Sequence, residues 1–152
     1  MQFLHIEVVQ NKNYIMILAE MNHDARIVRL NAEHHQASAA SWFGDSIGYW
    51  EGETLVVETR HFGEFPPLSG ADKNLQVTEH FTRQDDGSMR YRFLVKNPEM
   101  WAQPWGGEYV WASSDGKIYE YACHEGNYAL GNIMRGAREL EKESRAAQAN
   151  AG

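Results

Sequence analysis

Three side chains that could do chemistry occupy consecutive positions near the end of the chain: Cys123, His124 and Glu125. They follow a β-branched and aromatic run that predicts a strand, and they precede a segment that predicts a helix. An imidazole and a carboxylate at such a corner suit acid/base chemistry, because strand ends and the loops after them often carry sites. They equally suit a structural role at the start of the helix, where the helix dipole favours the carboxylate of Glu125.

Histidines beside acidic residues or a second histidine raise the question of a metal site. The pairs are His23–Asp24, His34–His35 and His124–Glu125. The spacings typical of metal sites, such as HxH, HExxH and CxxC, do not occur in the sequence. Glycine-rich nucleotide motifs do not occur either. We therefore expect no cofactor, with zinc or iron as the alternative.

The elements that must position these side chains are short alternating segments separated by turn signals. They predict eight or nine strands at regular spacing and a single long helix over about 127–146. The clearest predicted hairpin joins 75–83 to 89–96. This pattern predicts an all-β or β-rich α+β fold, a small antiparallel lipocalin-like β-barrel with one C-terminal helix. We expect residues 1–152 to form one domain.

Other segments are less regular. Residues 44–52 carry three glycines and predict a turn-rich connection. Residues 63–74 predict a long loop that is either a lid over a pocket or a surface connection. A last hairpin is predicted across 113–116, and its second strand would cover 117–123.

Strand alternation predicts which polar side chains point into the barrel. Glu79 shares its predicted face with Val77 and Phe81, and Arg26 shares its face with Val28. A buried charged side chain usually forms an ion pair or belongs to a functional site. We therefore expect Arg26 and Glu79 to lie within salt-bridge distance of each other, either as a structural pair or as part of a site. The same reasoning, with the aromatic content, predicts an interior that is lined by Glu20, Trp50, His61, Tyr91, Phe93, Trp105 and Trp111.

Composition limits the classes of partner. The 152 residues carry a net charge of −7, which argues against nucleic acid because phosphate binding needs clustered Lys and Arg. One cysteine allows no intramolecular disulfide, and no apolar run approaches the ~20 residues of a membrane span. No export signal is visible, so we expect a cytoplasmic chain. Five tryptophans suit a flat apolar ligand, and segment 101–111 suits a homodimer interface.

Five blocks of the chain carry a family resemblance: MNHDARIVRL, GDSIGYWEGETLVVET, LQVTEHFTR, NPEMWAQPW and YEYACHEGNYALGNIMRGAR. In this order they resemble the blocks of a widespread family of bacterial, mostly hypothetical proteins. The resemblance runs from about Tyr14 to Glu143. It implies that many relatives carry an export signal and a longer N-terminal portion, neither of which is visible here. It also implies that a shared pattern contains His23, Asp24, Arg26, Asp45, Trp50, Glu51, Glu79, His124, Glu125 and Asn127.

The favoured hypothesis is a cofactor-independent lyase or isomerase that acts on a small hydrophobic molecule, aromatic or terpenoid-like, inside the barrel. A lignin-derived phenolic is one concrete substrate. His23 or His124 would take a proton, and Glu79 would be its carboxylate partner or the acid. Arg26 would stabilise an anionic intermediate. The expected hydrogen-bond donors are Tyr91 and Tyr121.

Two other functions remain open from the sequence. One is a lipocalin-like carrier that holds a small molecule without turnover. The other is a metal-dependent hydrolase or oxygenase.

Overall fold

The structure is a computed structural model that describes residues 5–121 and 128–149. The chain divides into two compact units, Met1–Glu120 and Tyr121–Gly152. The second unit contains helix α1, Ala129–Ala149, close to its predicted range. The strands of the first unit are β1 Ile6–Gln10, β2 Tyr14–Ala19, β3 Ala25–Leu30, β4 Asp45–Glu51, β5 Thr54–Arg60, β6 Gln76–Arg83, β7 Met89–Lys96 and β8 Trp105–Trp111.

These eight strands form one sheet in sequence order, curled into a half-barrel. This confirms the predicted β-rich, lipocalin-like class with a C-terminal helix. One feature differs from the prediction, because β3 and β4 pair in parallel while every other pair is antiparallel. A parallel pair needs a crossover. Residues 31–44 supply it, with a short 3-10 turn at Ala37–Ala39.

Strand β4 occupies the segment that its glycines predicted to be turn-rich, so that prediction was wrong. Gly48 is buried in the sheet, and a Cβ atom there would lie 2.8 Å from Cγ1 of Val28. The glycine therefore permits close packing against β3 instead of a turn. The turn comes after β4, where Gly52 has a φ of +60° and Glu51 pairs with Thr54.

Two apolar clusters fill the concave face of the sheet. The first is centred on Ile15, Val28, Leu55, Val57 and Phe81, which come from β2, β3, β5 and β6. The second forms where two connecting segments pack against β7. Its buried members are Phe62, Leu75 and Val95, with Leu68, Ala71 and Trp101 packed against them. The loop 63–74 therefore adds apolar side chains to a core.

The predicted last hairpin is not formed in the described part of the chain. Residues 112–121 contain no strand there, and 122–127 lie outside the described residues. Instead, the segment after β8 approaches the start of β1, where the Ser114 hydroxyl lies 3.2 Å from His5 Nε2. On α1 the predicted apolar stripe is present, but its large side chains are exposed: Leu130, Ile133, Met134 and Leu140.

A single methyl group at position 48 tests the packing of β4 on β3. Gly48→Ala should lower the free energy of unfolding by about 1–2 kcal/mol, because the β-branched, fully buried Val28 cannot move aside easily. Gly63→Ala is the matched control, since the nearest atom to its new Cβ lies at 3.7 Å, an ordinary contact. Urea unfolding measures both variants. Equal stability of the two variants would contradict the close packing.

Candidate functional site

An ion pair between the half-buried Arg26 and the buried Glu79 crosses the concave face from β3 to β6. Arg26 Nη1 donates to Glu79 Oε2 at 2.6 Å, and Nη2 donates to Oε1 at 3.0 Å. Two strands separate these residues, and three strand spacings in a flat sheet would span about 14 Å. The side chains meet across this span because the sheet is curled. The predicted salt-bridge contact between Arg26 and Glu79 is confirmed.

Tyr91 completes this cluster from the neighbouring strand β7. Its hydroxyl donates to Glu79 Oε1 at 2.8 Å. Burial and the Glu79 carboxylate raise the pKa of the Tyr91 phenol, so the phenol stays protonated at physiological pH. Burial disfavours the charge on Arg26, but attraction and hydrogen bonding to Glu79 outweigh it, and the guanidinium pKa is raised. The cluster thus holds a fixed cation, its paired carboxylate and a neutral hydroxyl donor.

Aromatic rings continue the concave face beyond this cluster. Tyr91 stacks on Trp111 with ring centroids 4.5 Å apart, and Phe81 lies 5.0 Å from Tyr91. Phe93 stacks on the other side of Tyr91 at 5.9 Å, and Trp105 meets Phe93 edge-on at the same distance. The strand register places these rings on one face, as the alternation predicted.

A cavity of about 330 Å³ borders the first apolar cluster, and Ile15, Leu55 and Phe81 of that cluster line it. That volume is within the range of small-molecule sites. The described lining is mostly apolar, with Gln10, Glu53 and Arg83 as its polar members. It does not include Arg26, Glu79 or Tyr91. The remaining lining residues are Val8, Ile15, Ile17, Trp50, Leu55, Phe81 and Met89.

Two of these lining residues connect the cavity to the charged cluster. Ile17 is the cross-strand partner of Arg26, and Phe81 is the partner of Tyr91. Directly opposed residues in a sheet share a face. The cavity and the cluster are therefore neighbours on the concave face, with apolar side chains between them. Among the predicted binding residues, Trp50 contributes to the cavity itself.

Glu20 does not lie where the sequence predicted. The predicted strand put Glu20 on the inner face with Tyr14, Met16 and Leu18. Strand β2 ends at Ala19, and Ile15 and Ile17 form its concave face instead. Because β2 is apolar on both faces, alternation alone does not select the inner one. Glu20 instead accepts a hydrogen bond from His5 Nδ1 at 2.9 Å.

His5 therefore joins the carboxylate of Glu20 to the hydroxyl of Ser114. The order of hydroxyl, imidazole and carboxylate resembles that of a hydrolase triad. None of the three residues lines the cavity, and Ser114 is exposed. The backbone N–H of Gly116 also donates to the Ser114 hydroxyl, at 3.1 Å. We interpret this chain of hydrogen bonds as a link between the two ends of the sheet.

Among the predicted catalytic residues His23, Tyr121 and His124, His23 lies in the same unit as the cavity. His23 is exposed in the short 3-10 turn Met21–His23, and it is not among the cavity-lining residues. Tyr121 is the last described residue of its segment and belongs to the second unit. His124 lies outside the described residues. Their catalytic roles stay predictions.

His61 was predicted to continue the inward face of β5, but the strand ends at Arg60. The backbone of His61 has a φ of +56°, in the left-handed region, so the alternation stops there. Its ring centroid lies 5.8 Å from that of His34. His34 in turn contacts Asp45, and sequence reasoning assigned no role to that contact. The adjacent histidines 34 and 35 were the only signal of it in the sequence.

Comparisons with known proteins identify no relative. No protein-family model matches the chain, and no curated protein or solved structure shows significant similarity to it. The family resemblance and the homodimer therefore stay predictions. In the described part of the chain, no helix is long and apolar enough to cross a membrane. Any function must be argued from the concave face itself.

Breaking the ion pair from one side tests its contribution to stability. Arg26→Met should lower the free energy of unfolding by about 3 kcal/mol, because it leaves the buried Glu79 carboxylate without its cation. Adding Glu79→Leu should restore most of that loss, since no buried charge then remains. Arg90→Met is the matched control, because Arg90 and Glu108 form an exposed pair at 4.0 Å. An effect of Arg26→Met no larger than that of the control would contradict the interpretation.

The raised pKa of the Tyr91 phenol predicts that the stability of the protein changes with pH in the alkaline range. Its pKa is raised in the folded protein, whereas the unfolded chain loses this proton near pH 10. Above that pH the unfolded state binds fewer protons, so stability falls as pH rises. At pH 8 the free energy of unfolding of the wild type should exceed that of Tyr91→Phe by about 1.5–3 kcal/mol, the value of a hydrogen bond to a charged group. Urea unfolding from pH 8 to 11 should show this difference shrinking, and a difference that grows with pH would refute it.

Proposed function

We propose that the half-barrel binds a small, flat, largely apolar molecule in the cavity on its concave face. The observation that carries this proposal is the cavity of about 330 Å³, whose walls are mostly aliphatic and aromatic side chains. Apolar walls with a few polar groups are typical of small-molecule sites. Gln10, Glu53 and Arg83 supply those polar groups.

The polar groups favour a ligand with one polar end. The Arg83 side chain is exposed and has no ion-pair partner among the described residues. Its guanidinium can donate to a hydroxyl or a carboxylate. Trp50 and Phe81 offer ring surfaces to an aromatic body. A phenol or an aryl carboxylate meets both requirements.

Binding can be tested with 2-naphthol, by its fluorescence and by quenching of protein tryptophan emission. Trp50→Ala should weaken binding about tenfold or more, equivalent to about 1.4 kcal/mol, because it removes one ring of the wall. Trp42→Ala is the matched control, since Trp42 is similarly exposed but does not line the cavity. Equal affinity of both variants, or no binding by the wild type, would refute the cavity as the binding site.

A second candidate is acid/base turnover of the bound molecule, as a cofactor-independent lyase or isomerase. The observation that favours it is the cluster of Arg26, Glu79 and Tyr91, which lies next to Ile17 and Phe81 on the concave face. The neutral Tyr91 hydroxyl could donate a hydrogen bond or a proton, and Arg26 could stabilise a developing anion. The Glu79 carboxylate, which three hydrogen bonds hold in place, could accept the proton that the substrate loses, and Tyr91 could return a proton to the product.

Turnover should be sought with lignin-derived phenolics and other small aromatic compounds by product analysis. If it occurs through this cluster, Tyr91→Phe should lower kcat by about 100-fold and leave KM within a few-fold. A loss of activity no larger than the fraction of Tyr91→Phe that is unfolded at the assay temperature would assign Tyr91 a structural role instead. Ligand binding without product in the wild type would leave the carrier function and refute the enzyme.

A further inference from the structure

Three buried imidazole nitrogens have no hydrogen-bond partner in the part of the chain that the structure describes, and two of them belong to neighbouring rings: Nε2 of His34 and Nδ1 of His61. The two rings lie edge to face, with centroids 5.8 Å apart. Buried polar atoms are almost always paired, so two unpaired nitrogens in neighbouring rings require an explanation. Both rings lie outside the cavity.

The hydrogen bonds of His34 show which of its nitrogens is free to accept. Nδ1 of His34 lies 2.9 Å from Oδ2 of Asp45. Asp45 is buried, and it also accepts from the backbone N–H of His35 at 2.8 Å and from Arg29 at 2.9 Å. Because an ionised carboxylate can only accept, Nδ1 carries the ring proton. Nε2 therefore presents a lone pair, the tautomer that a carboxylate imposes on metal-binding histidines.

Three potential ligands converge at this place. One ligand atom from each of His34, Asp45 and His61 lies within 4.8 Å of the other two. They come from three segments: the crossover 31–44, the first residue of β4 and the residue after β5. Two imidazoles suit divalent transition metals, and a carboxylate that is hydrogen-bonded to one of them orients that ring toward the ion.

The backbone holds His61 in this place at an energetic cost. A φ of +56° is unfavourable for a residue with a Cβ atom, and such strain clusters at functional sites. His61 also lines an open polar depression of about 350 Å³, together with Lys73, Asn74 and Glu99. This depression provides a path from solvent to the ring and room for water as a further ligand.

We propose that His34 Nε2 and His61 Nδ1 bind one divalent transition-metal ion of the zinc class. Asp45 accepts from Nδ1 of His34 and so orients that ring, and it is not itself a ligand. Arg29 balances the charge of Asp45. Water from the open depression supplies the remaining ligands, and the ion joins the crossover 31–44 to the residue after β5.

Titration of the chelator-treated protein with Zn²⁺ and Co²⁺ tests this site. We expect one equivalent to bind, and we expect the double variant His34→Gln/His61→Asn to bind at least about 100-fold more weakly. Asparagine is chosen at position 61 because it tolerates the left-handed backbone. His35→Gln is the matched control, since only the backbone of His35 contacts Asp45 and its side chain is exposed.

Thermal unfolding gives a second readout. One equivalent of Zn²⁺ should raise the melting temperature of the wild type and of His35→Gln, but not that of the double variant. If the double variant fails to fold, the single variant His61→Asn carries the same comparison. Wild-type affinity in the ligand variants, equal loss in His35→Gln, or no stoichiometric binding by the wild type would each overturn the proposal.

Discussion

The ion pair between Arg26 and Glu79 is the constraint on which the concave face depends. It joins β3 to β6 across two intervening strands, so it exists only while the sheet is curled. A buried carboxylate and guanidinium are costly to desolvate, and their bidentate geometry with the added hydroxyl of Tyr91 offsets that cost. The pair therefore favours the curled sheet over flatter arrangements that would separate the two charges.

The curled sheet in turn divides the concave face into parts with different properties. Near β7 the connecting segments fill the face with Phe62, Leu75 and Trp101. Next to the charged cluster, between β1 and the turns after β4 and β6, the apolar surface encloses the cavity. The described lining of the proposed ligand site comes from β1, β2 and β4–β7 and from the turn between β4 and β5. The metal site that we propose lies apart from it, where the crossover 31–44 meets the start of β4.

The alternation of polar and apolar residues predicted which side chains point inward where a strand has two distinct faces. Arg26, Glu79 and Tyr91 were placed correctly because their strands alternate clearly. Glu20 was misplaced because β2 is apolar on both faces, so neither register was favoured. Gly48 was mistaken for a turn signal, since close packing of two strands cannot be seen in one segment. The contacts of His34 with Asp45 and His61 depend on a parallel crossover that local patterns do not reveal.

Hydrogen exchange of the Arg26 guanidinium protons, followed by ¹⁵N NMR, tests the central claim most directly. Arg90 in the same protein is the internal reference, because its side chain is exposed and its ion pair is long. If Arg26 is clamped by Glu79 across the curled sheet, its Nη protons should exchange at least about tenfold more slowly than those of Arg90. Equal exchange rates would mean that the pair is open in solution, and the account of the curled, ligand-binding face would fail.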